Sequence, residues 1–179
     1  MENHTPLLKE VVKIKTNIPL ILLDYLKFKA ETSLEWHFLY GGNTIEEKIP
    51  KLDITNLNSP SSSYIRGLIS SIFFQVYEEG GKNYFQPEMI GCGISIKDKF
   101  RKDNIHTDYV EHDNTLRILG LLNTNWDSSW GGGFIWDNQI TSLQVNEFLI
   151  FDPKVPHAAS EIFCDKKRLA VDITTIANG

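Results

Sequence analysis

His106-Thr107-Asp108 sets an imidazole and a carboxylate two residues apart. On an extended strand, residues i and i+2 face the same side, so this pair can grip one ion. A third donor, His157, closes the segment Phe151-Asp-Pro-Lys-Val-Pro-His157. Two imidazoles and one carboxylate on one face of an ion leave its other face open. Such a set suits non-haem Fe(II), which must also take up a cosubstrate and oxygen. The rest of the chain then has one task, to carry His157 to the first pair.

The bulk numbers fit a soluble enzyme-sized domain. The chain has 179 residues, of which 41% are hydrophobic and 23% charged, enough for one domain with a substantial core. The net charge of −5 and the absence of any basic run argue against a surface built to neutralise phosphates, so no nucleic-acid partner is expected. Two cysteines, Cys92 and Cys164, exclude a disulfide framework and suit a reducing compartment; both read as small buried hydrophobes. The start of the chain lacks the order of a signal peptide, and the apolar run Pro19 to Leu23 is far too short to span a bilayer. A cytoplasmic location without a membrane partner is the expectation.

The elements that must position the donors fall into two groups. Val11, Val12 and Ile14 suggest an edge strand. Residues 19–31 read as a helix, with Pro19 in the first turn and Leu22, Leu23, Leu26 and Ala30 at helical spacing. Residues 35–40 read as a strand and 43–63 as a loop. Tyr64 to Glu79 carries the stripe Ile65, Leu68, Ile69, Ile72, Phe73 and Val76 and ends at Gly80-Gly81, which predicts a second core-packing helix. From residue 85 the pattern changes to short strands separated by Gly, Asn and Asp turns. Strands are expected at 88–97, 105–110, 115–123, 133–137, 140–144, 147–151, 158–163 and 168–175, with a hairpin turn at Asp137-Asn138. The fold class expected is α+β, mainly β. A single domain over 1–179 is expected, with helical support over about 1–84 and a β core over about 85–176.

The order of features after His106-Thr107-Asp108 adds weight. Leu122-Asn-Thr-Asn-Trp126 ends one strand, and Trp130-Gly-Gly-Gly-Phe-Ile-Trp-Asp137 starts another. Glu147-Phe-Leu-Ile-Phe151 leads to His157, and Arg168-Leu-Ala-Val-Asp-Ile-Thr174 closes the set. As an ordered series over about residues 88–175, this resembles the 2-oxoglutarate- and Fe(II)-dependent oxygenases, in particular their prolyl 4-hydroxylase-like branch. The resemblance implies a double-stranded β-helix, a jelly-roll or cupin-like barrel, with N-terminal supporting helices. It implies an iron site of His106, Asp108 and His157, and Arg168 as the residue that holds the C5 carboxylate of 2-oxoglutarate. A guanidinium fork suits that carboxylate and stays charged. Lys166, Lys167 and Arg117 are rivals for the role that read better as solvated surface charges. Fe(II), 2-oxoglutarate and O2 are the implied cofactor and cosubstrates, with ascorbate as an auxiliary reductant. The sequence departs from the branch where many relatives carry a tyrosine, for here Gly120, Leu121 and Ile96 stand. Asn146 replaces the usual glycine before the Phe-containing strand and can make the same tight turn.

Other chemical-looking residues have plainer readings. Glu111, His112 and Asp113 suit a polar loop at the pocket mouth. His4 and His37 read as surface or hydrogen-bonded histidines. Tyr109, Trp126 and Trp130 are candidates for the substrate pocket, with packing as the alternative for each. Gly131-Gly132-Gly133 is followed by no Lys-Ser/Thr and no helix, which excludes a P-loop; close backbone packing at a strand start explains it. No nucleophile–base pair stands out beyond the metal ligands.

The implied reaction is hydroxylation of a C–H bond, with 2-oxoglutarate converted to succinate and CO2. The branch resembled points to a prolyl residue in a peptide or protein. A free amino acid or small metabolite remains open. So do a cupin-like metalloenzyme without 2-oxoglutarate, a non-catalytic β-barrel binding module and a nucleic-acid demethylase. The carboxylate of Asp108 counts against a halogenating relative, which needs that ligand replaced by halide.

Overall fold

The computed structural model describes residues 5–33, 37–40, 48–53 and 60–179. His4 and residues 34–36, 41–47 and 54–59 lie outside the described residues, and with them parts of the expected strand at 35–40 and loop at 43–63.

Among the described residues, ten strands and two helices follow one another in the order β1 (Val12–Lys15), α1 (Leu20–Glu31), β2 (His37–Tyr40), β3 (Lys48–Asp53), α2 (Pro60–Glu78), β4 (Phe85–Lys97), β5 (Thr115–Leu121), β6 (Phe134–Trp136), β7 (Gln139–Thr141), β8 (Glu147–Phe151), β9 (His157–Ala159) and β10 (Arg168–Ala177). Seven form one sheet in the order β1-β8-β5-β10-β4-β3-β2, and three form a second, β7-β6-β9. Every pairing is antiparallel. The architecture is a double-stranded β-helix, mainly β, with two helices outside it.

Alternation along the strands sorts the two faces of the large sheet. Cys92 and Ile94 of β4, Ile118 of β5, Phe148 and Ile150 of β8, and Leu169, Val171 and Ile173 of β10 share a core with the stripes of α1 and α2. Leu23, Leu26 and Ala30 of α1 and Ile65, Ile69, Ile72, Phe73 and Val76 of α2 supply the helical half, as their spacing predicts. The residues between them point the other way, toward the small sheet. There Leu121, Leu149 and Phe151 meet Phe134, Trp136, Leu143 and Val155 in a second cluster. On that same inner face β10 presents Arg168, Ala170 and Asp172, and β4 presents Ser95 and Lys97.

The turns follow their residue types. Asp137 and Asn138 both have positive φ, at 47° and 64°, the conformation a two-residue hairpin turn needs. Asn146 has φ 59° just before β8, doing there what glycine commonly does. Gly120 faces its register partner Phe148, and a Cβ on it would fall 2.2 Å from the Phe148 ring. Gly120→Ala is therefore expected to lower stability by about 1–3 kcal/mol through overpacking, read as a fall in the denaturant midpoint.

Several expectations need correction. Residues 43–63 are not all loop: β3 lies within them and pairs β4 at Lys51↔Ser95 through Asp53↔Gly93. The first third of the chain thus adds three strands to the large sheet as well as helices. The expected strand at 105–110 is reduced to a single bridge between His106 and His157. Its partner segment contains Pro153 and Pro156, which have no N–H to donate, so a continuous ladder cannot form. The strand expected at 158–163 is β9, at His157–Ala159, followed by an isolated bridge at Ile162. The second helix begins at Pro60, earlier than its apolar stripe suggests.

Candidate functional site

The two halves of the donor set meet through backbone bonds. His106 N–H donates to His157 O at 3.0 Å, and His157 N–H to His106 O at 2.8 Å. Asp108 N–H donates to Pro153 O at 2.9 Å. These bonds lay His106-Thr107-Asp108 against the turn before β9. One ligand atom from each of His106, Asp108 and His157 lies within 4.8 Å of the other two. The imidazole centroids are 4.7 Å apart, and the rings of Phe134 and Phe151 pack beside His157.

The ring nitrogens are already assigned by their partners. Nδ1 of His106 lies 2.8 Å from Asn104 O, and Nδ1 of His157 lies 2.8 Å from Val155 O. A carbonyl only accepts, so each Nδ1 carries the proton and each Nε2 is turned toward the shared centre. Both Nε2 atoms stand 3.6 Å from Asp108, His106 from Oδ1 and His157 from Oδ2. Burial works to raise the Asp108 carboxyl, but the facing imidazoles of His106 and His157 and the charge of Arg117 outweigh it. Asp108 is held far below the usual carboxylate range. The neighbouring Asp108 carboxylate in turn lifts His106 above its ordinary value against the effect of burial. Two imidazole lone pairs and one ionised oxygen aimed at one point are the donor set of a facial metal site with an open side.

Arg168 opens β10 on the inner face. It is buried, its Nη1 donates to Gly132 O, and its Nε is buried with no hydrogen-bond partner. Burial, with help from Arg101, pushes its pKa down to about 10, and Asp103 works against that shift. Gly132 has φ 71°, and a Cβ there would crowd Arg168 Cδ at 3.3 Å and Ile162. The glycine run thus makes room for the guanidinium. Arg168 is separated from Asp172, beside the three donors, by four residues of strand, about 13 Å of backbone. Between them the inner face carries only the small Ala170, paired with Ser95. A buried guanidinium with an unfilled N–H, facing a floor of small side chains, fits the far end of a short dicarboxylate.

A buried ionic cluster near Arg168 escapes sequence reading. Lys97, the register partner of Arg168, is fully buried and pairs with Asp103, donating also to Arg101 O at 2.8 Å. Arg101 holds the other oxygen of Asp103 through Nε at 2.7 Å. Burial lowers the pKa of Lys97 while Asp103 raises it. Two cations thus share one carboxylate, and Arg168 stands within range of their charges, a surplus of positive charge suited to an anionic ligand. The signal available in the sequence is slight, since Lys97 sits at the end of an otherwise apolar-alternating strand.

Arg117 is likewise not a solvated surface charge. It is mostly buried and forks onto Asp172, with Nε–Oδ1 at 2.8 Å, and its Nη1 lies 3.2 Å from Asp108 Oδ2. Asp172 falls four residues after Arg168, and that even spacing is the clue that both face inward. Lys166 and Lys167 are exposed, with Lys166 Nζ 3.8 Å above the Trp130 ring. Trp126 meets Trp130 edge-on and donates through Nε1 to Gly131 O at 3.1 Å. Tyr109 is 90% exposed, and Glu111, His112 and Asp113 form an exposed loop. His37 lies in β2. Among the described residues no helix is long and apolar enough to cross a membrane.

No protein-family model and no curated protein matches the chain. Solved structures do. A Pseudomonas putida prolyl-4-hydroxylase superposes with a TM-score of 0.63 at 13% identity, over 94% of this chain and 93% of that one. An oxidoreductase of the 2OG-Fe(II) oxygenase family from Burkholderia pseudomallei gives 0.64 at 15% identity, over 94% and 86%. The non-haem α-ketoglutarate-dependent carbocyclase SnoK from nogalamycin biosynthesis gives 0.63 at 14%, over 93% and 79%. The chain therefore has the double-stranded β-helix fold of the 2-oxoglutarate- and Fe(II)-dependent oxygenases, with two imidazoles, a carboxylate and a buried arginine gathered inside it.

Proposed function

We propose that this chain is an Fe(II)- and 2-oxoglutarate-dependent oxygenase that hydroxylates a C–H bond, with a prolyl residue of a peptide or protein as its substrate. The observation that carries the reading is the His106, Asp108 and His157 donor set together with the buried, incompletely bonded guanidinium of Arg168, which opens β10 on the face turned toward the small sheet. His106 Nε2, Asp108 and His157 Nε2 would hold the iron, and Arg168 the C5 carboxylate of 2-oxoglutarate. The chemistry supplied by iron at this site would be the coupling of 2-oxoglutarate and O2 conversion to succinate and CO2 with insertion of one oxygen atom into the substrate. The chain's own part is to aim the ligands through the Asn104 and Val155 carbonyls, to clamp the cosubstrate and to shape the pocket.

The prolyl assignment draws on the Pseudomonas putida neighbour. The nogalamycin carbocyclase favours a second reading, a small-molecule substrate, since one fold serves many chemistries. Two measurements separate them. Purified protein is loaded with Fe(II) and 2-oxoglutarate without oxygen, and succinate is followed on admitting air. Prolyl peptides and free amino acids are then screened for the mass gain of one oxygen. Succinate formation that survives His106→Ala unchanged sinks the metal assignment.

Arg168→Ala tests the clamp. Removing one partner of a buried charge pair costs about 2–5 kcal/mol, so KM for 2-oxoglutarate is expected to rise about 30-fold or more. A metalloenzyme that makes no use of 2-oxoglutarate would be indifferent to the change.

A further inference from the structure

We propose that Arg117, braced by Asp172, is a positioning residue that fixes the Asp108 carboxylate as a one-toothed metal ligand. The inference rests on the reading of His106, Asp108 and His157 as the metal's ligands.

Asp108 lies outside any strand, and its backbone is tied by the bond to Pro153 O. That bond places its Cα but leaves its side-chain torsions open. Arg117 and Asp172, in contrast, stand on β5 and β10, neighbouring strands of the large sheet. The register partner of Arg117 is Thr174, which puts Asp172 two residues along on the same face. Nε and Nη2 of Arg117 fork onto the two oxygens of Asp172, a geometry that fixes the guanidinium plane. The remaining Nη1 is thereby presented to Asp108 Oδ2 at 3.2 Å.

The chemical consequence follows from lone pairs and charge. A carboxylate can hold a metal through one oxygen or both. With Nη1 on Oδ2, which also lies 3.6 Å from His157 Nε2, Oδ1 is the oxygen turned toward His106 Nε2 at 3.6 Å, itself a ligand. One-toothed binding leaves the face opposite the three donors open, and a two-toothed carboxylate takes one more position from it. A lone guanidinium beside a dication would repel it. Asp172 neutralises Arg117, so the pair orients Asp108 without adding net positive charge. Groups of this kind behind a metal ligand contribute about 10–100-fold to metal affinity.

Co(II), whose visible bands report coordination number, is the probe, titrated into the full chain without 2-oxoglutarate. Arg117→Met is expected to weaken Co(II) binding about 10–100-fold and to shift the bands. Arg117→Lys should restore affinity in part and the band shape less. In an Asp108→Ala background, Arg117→Met should change Co(II) affinity no further, because the residue acts through Asp108. If Arg117→Met fails to fold, Asp172→Asn, which loosens the brace and keeps its volume, must give the same weakened binding and altered bands. Unchanged affinity and bands in the folded variants overturn the inference, as does an equal loss with Asp108 absent. No Co(II) uptake by the unaltered chain removes the metal reading and this inference together. Uptake with an Arg117 variant indistinguishable from it removes the inference alone.

Discussion

Asp108→Ala is expected to weaken metal binding severely and to abolish succinate formation. Asp108 is the one anionic donor among the three, and the facing imidazoles and the charge of Arg117 keep it ionised. The two imidazoles left behind are neutral ligands aimed by backbone carbonyls. The loss in metal affinity should therefore exceed the about 100-fold that removing a supporting group behind a ligand brings. Metal content after dialysis and succinate formation under saturating 2-oxoglutarate are the two readouts. Folding should survive, because Asp108 sits in a partly exposed loop tied down by its backbone. Retention of iron and of turnover in this variant would exclude the site described above.

Asp103→Ala has its large effect on stability instead. The Lys97 ammonium is fully buried, with Asp103 as its counter-charge, and Arg101 shares that carboxylate. Deleting one partner of a buried pair costs about 3–5 kcal/mol, because the other charge stays buried and uncompensated. Against a total of about 5–15 kcal/mol for a domain, that is a large fraction. At about 2–4 °C per kcal/mol for a domain of this size, Tm should fall by about 6–20 °C. Lys97→Met placed on top of Asp103→Ala should recover much of the loss, since it removes the stranded charge. The pH dependence has a definite sign. Burial already holds Lys97 below its ordinary value, and loss of Asp103 lowers it further. Between the folded and the unfolded pKa, folding releases a proton, so the variant gains stability as pH rises through that window and loses it on acidification. Thermal unfolding of the variant that is flat across that window would exclude a buried, unpaired Lys97.

Much of the architecture is legible in the sequence because it is periodic. The stripes of the two helices and the apolar runs of β5, β8 and β10 are local signals, legible before any partner is known. The turn at Asp137-Asn138 and the tight turn at Asn146 follow from side chains that tolerate positive φ. β3 is not legible. Its six residues contain Pro50 and two lysines, and it exists because the long strand β4 offers an edge to pair with. The segment around His106 errs in the other direction. Its alternation suggests a strand, but two prolines in the facing segment deny it a ladder.

The sequence by itself determines which side chains can bind a metal or a carboxylate, and it sets their order along the chain. His106, Asp108, His157 and Arg168 are recognisable because their types and short spacings are local properties. Tertiary structure alone decided what surrounds them. Arg117 is separated from Asp172 by 55 positions, and Asp103 comes beneath Arg168 only through the pairing of β4 with β10. Whether a charged side chain is solvated or buried against its opposite depends on which strands become neighbours. That choice is made by the packing of two sheets and two helices, and no short window of residues contains it.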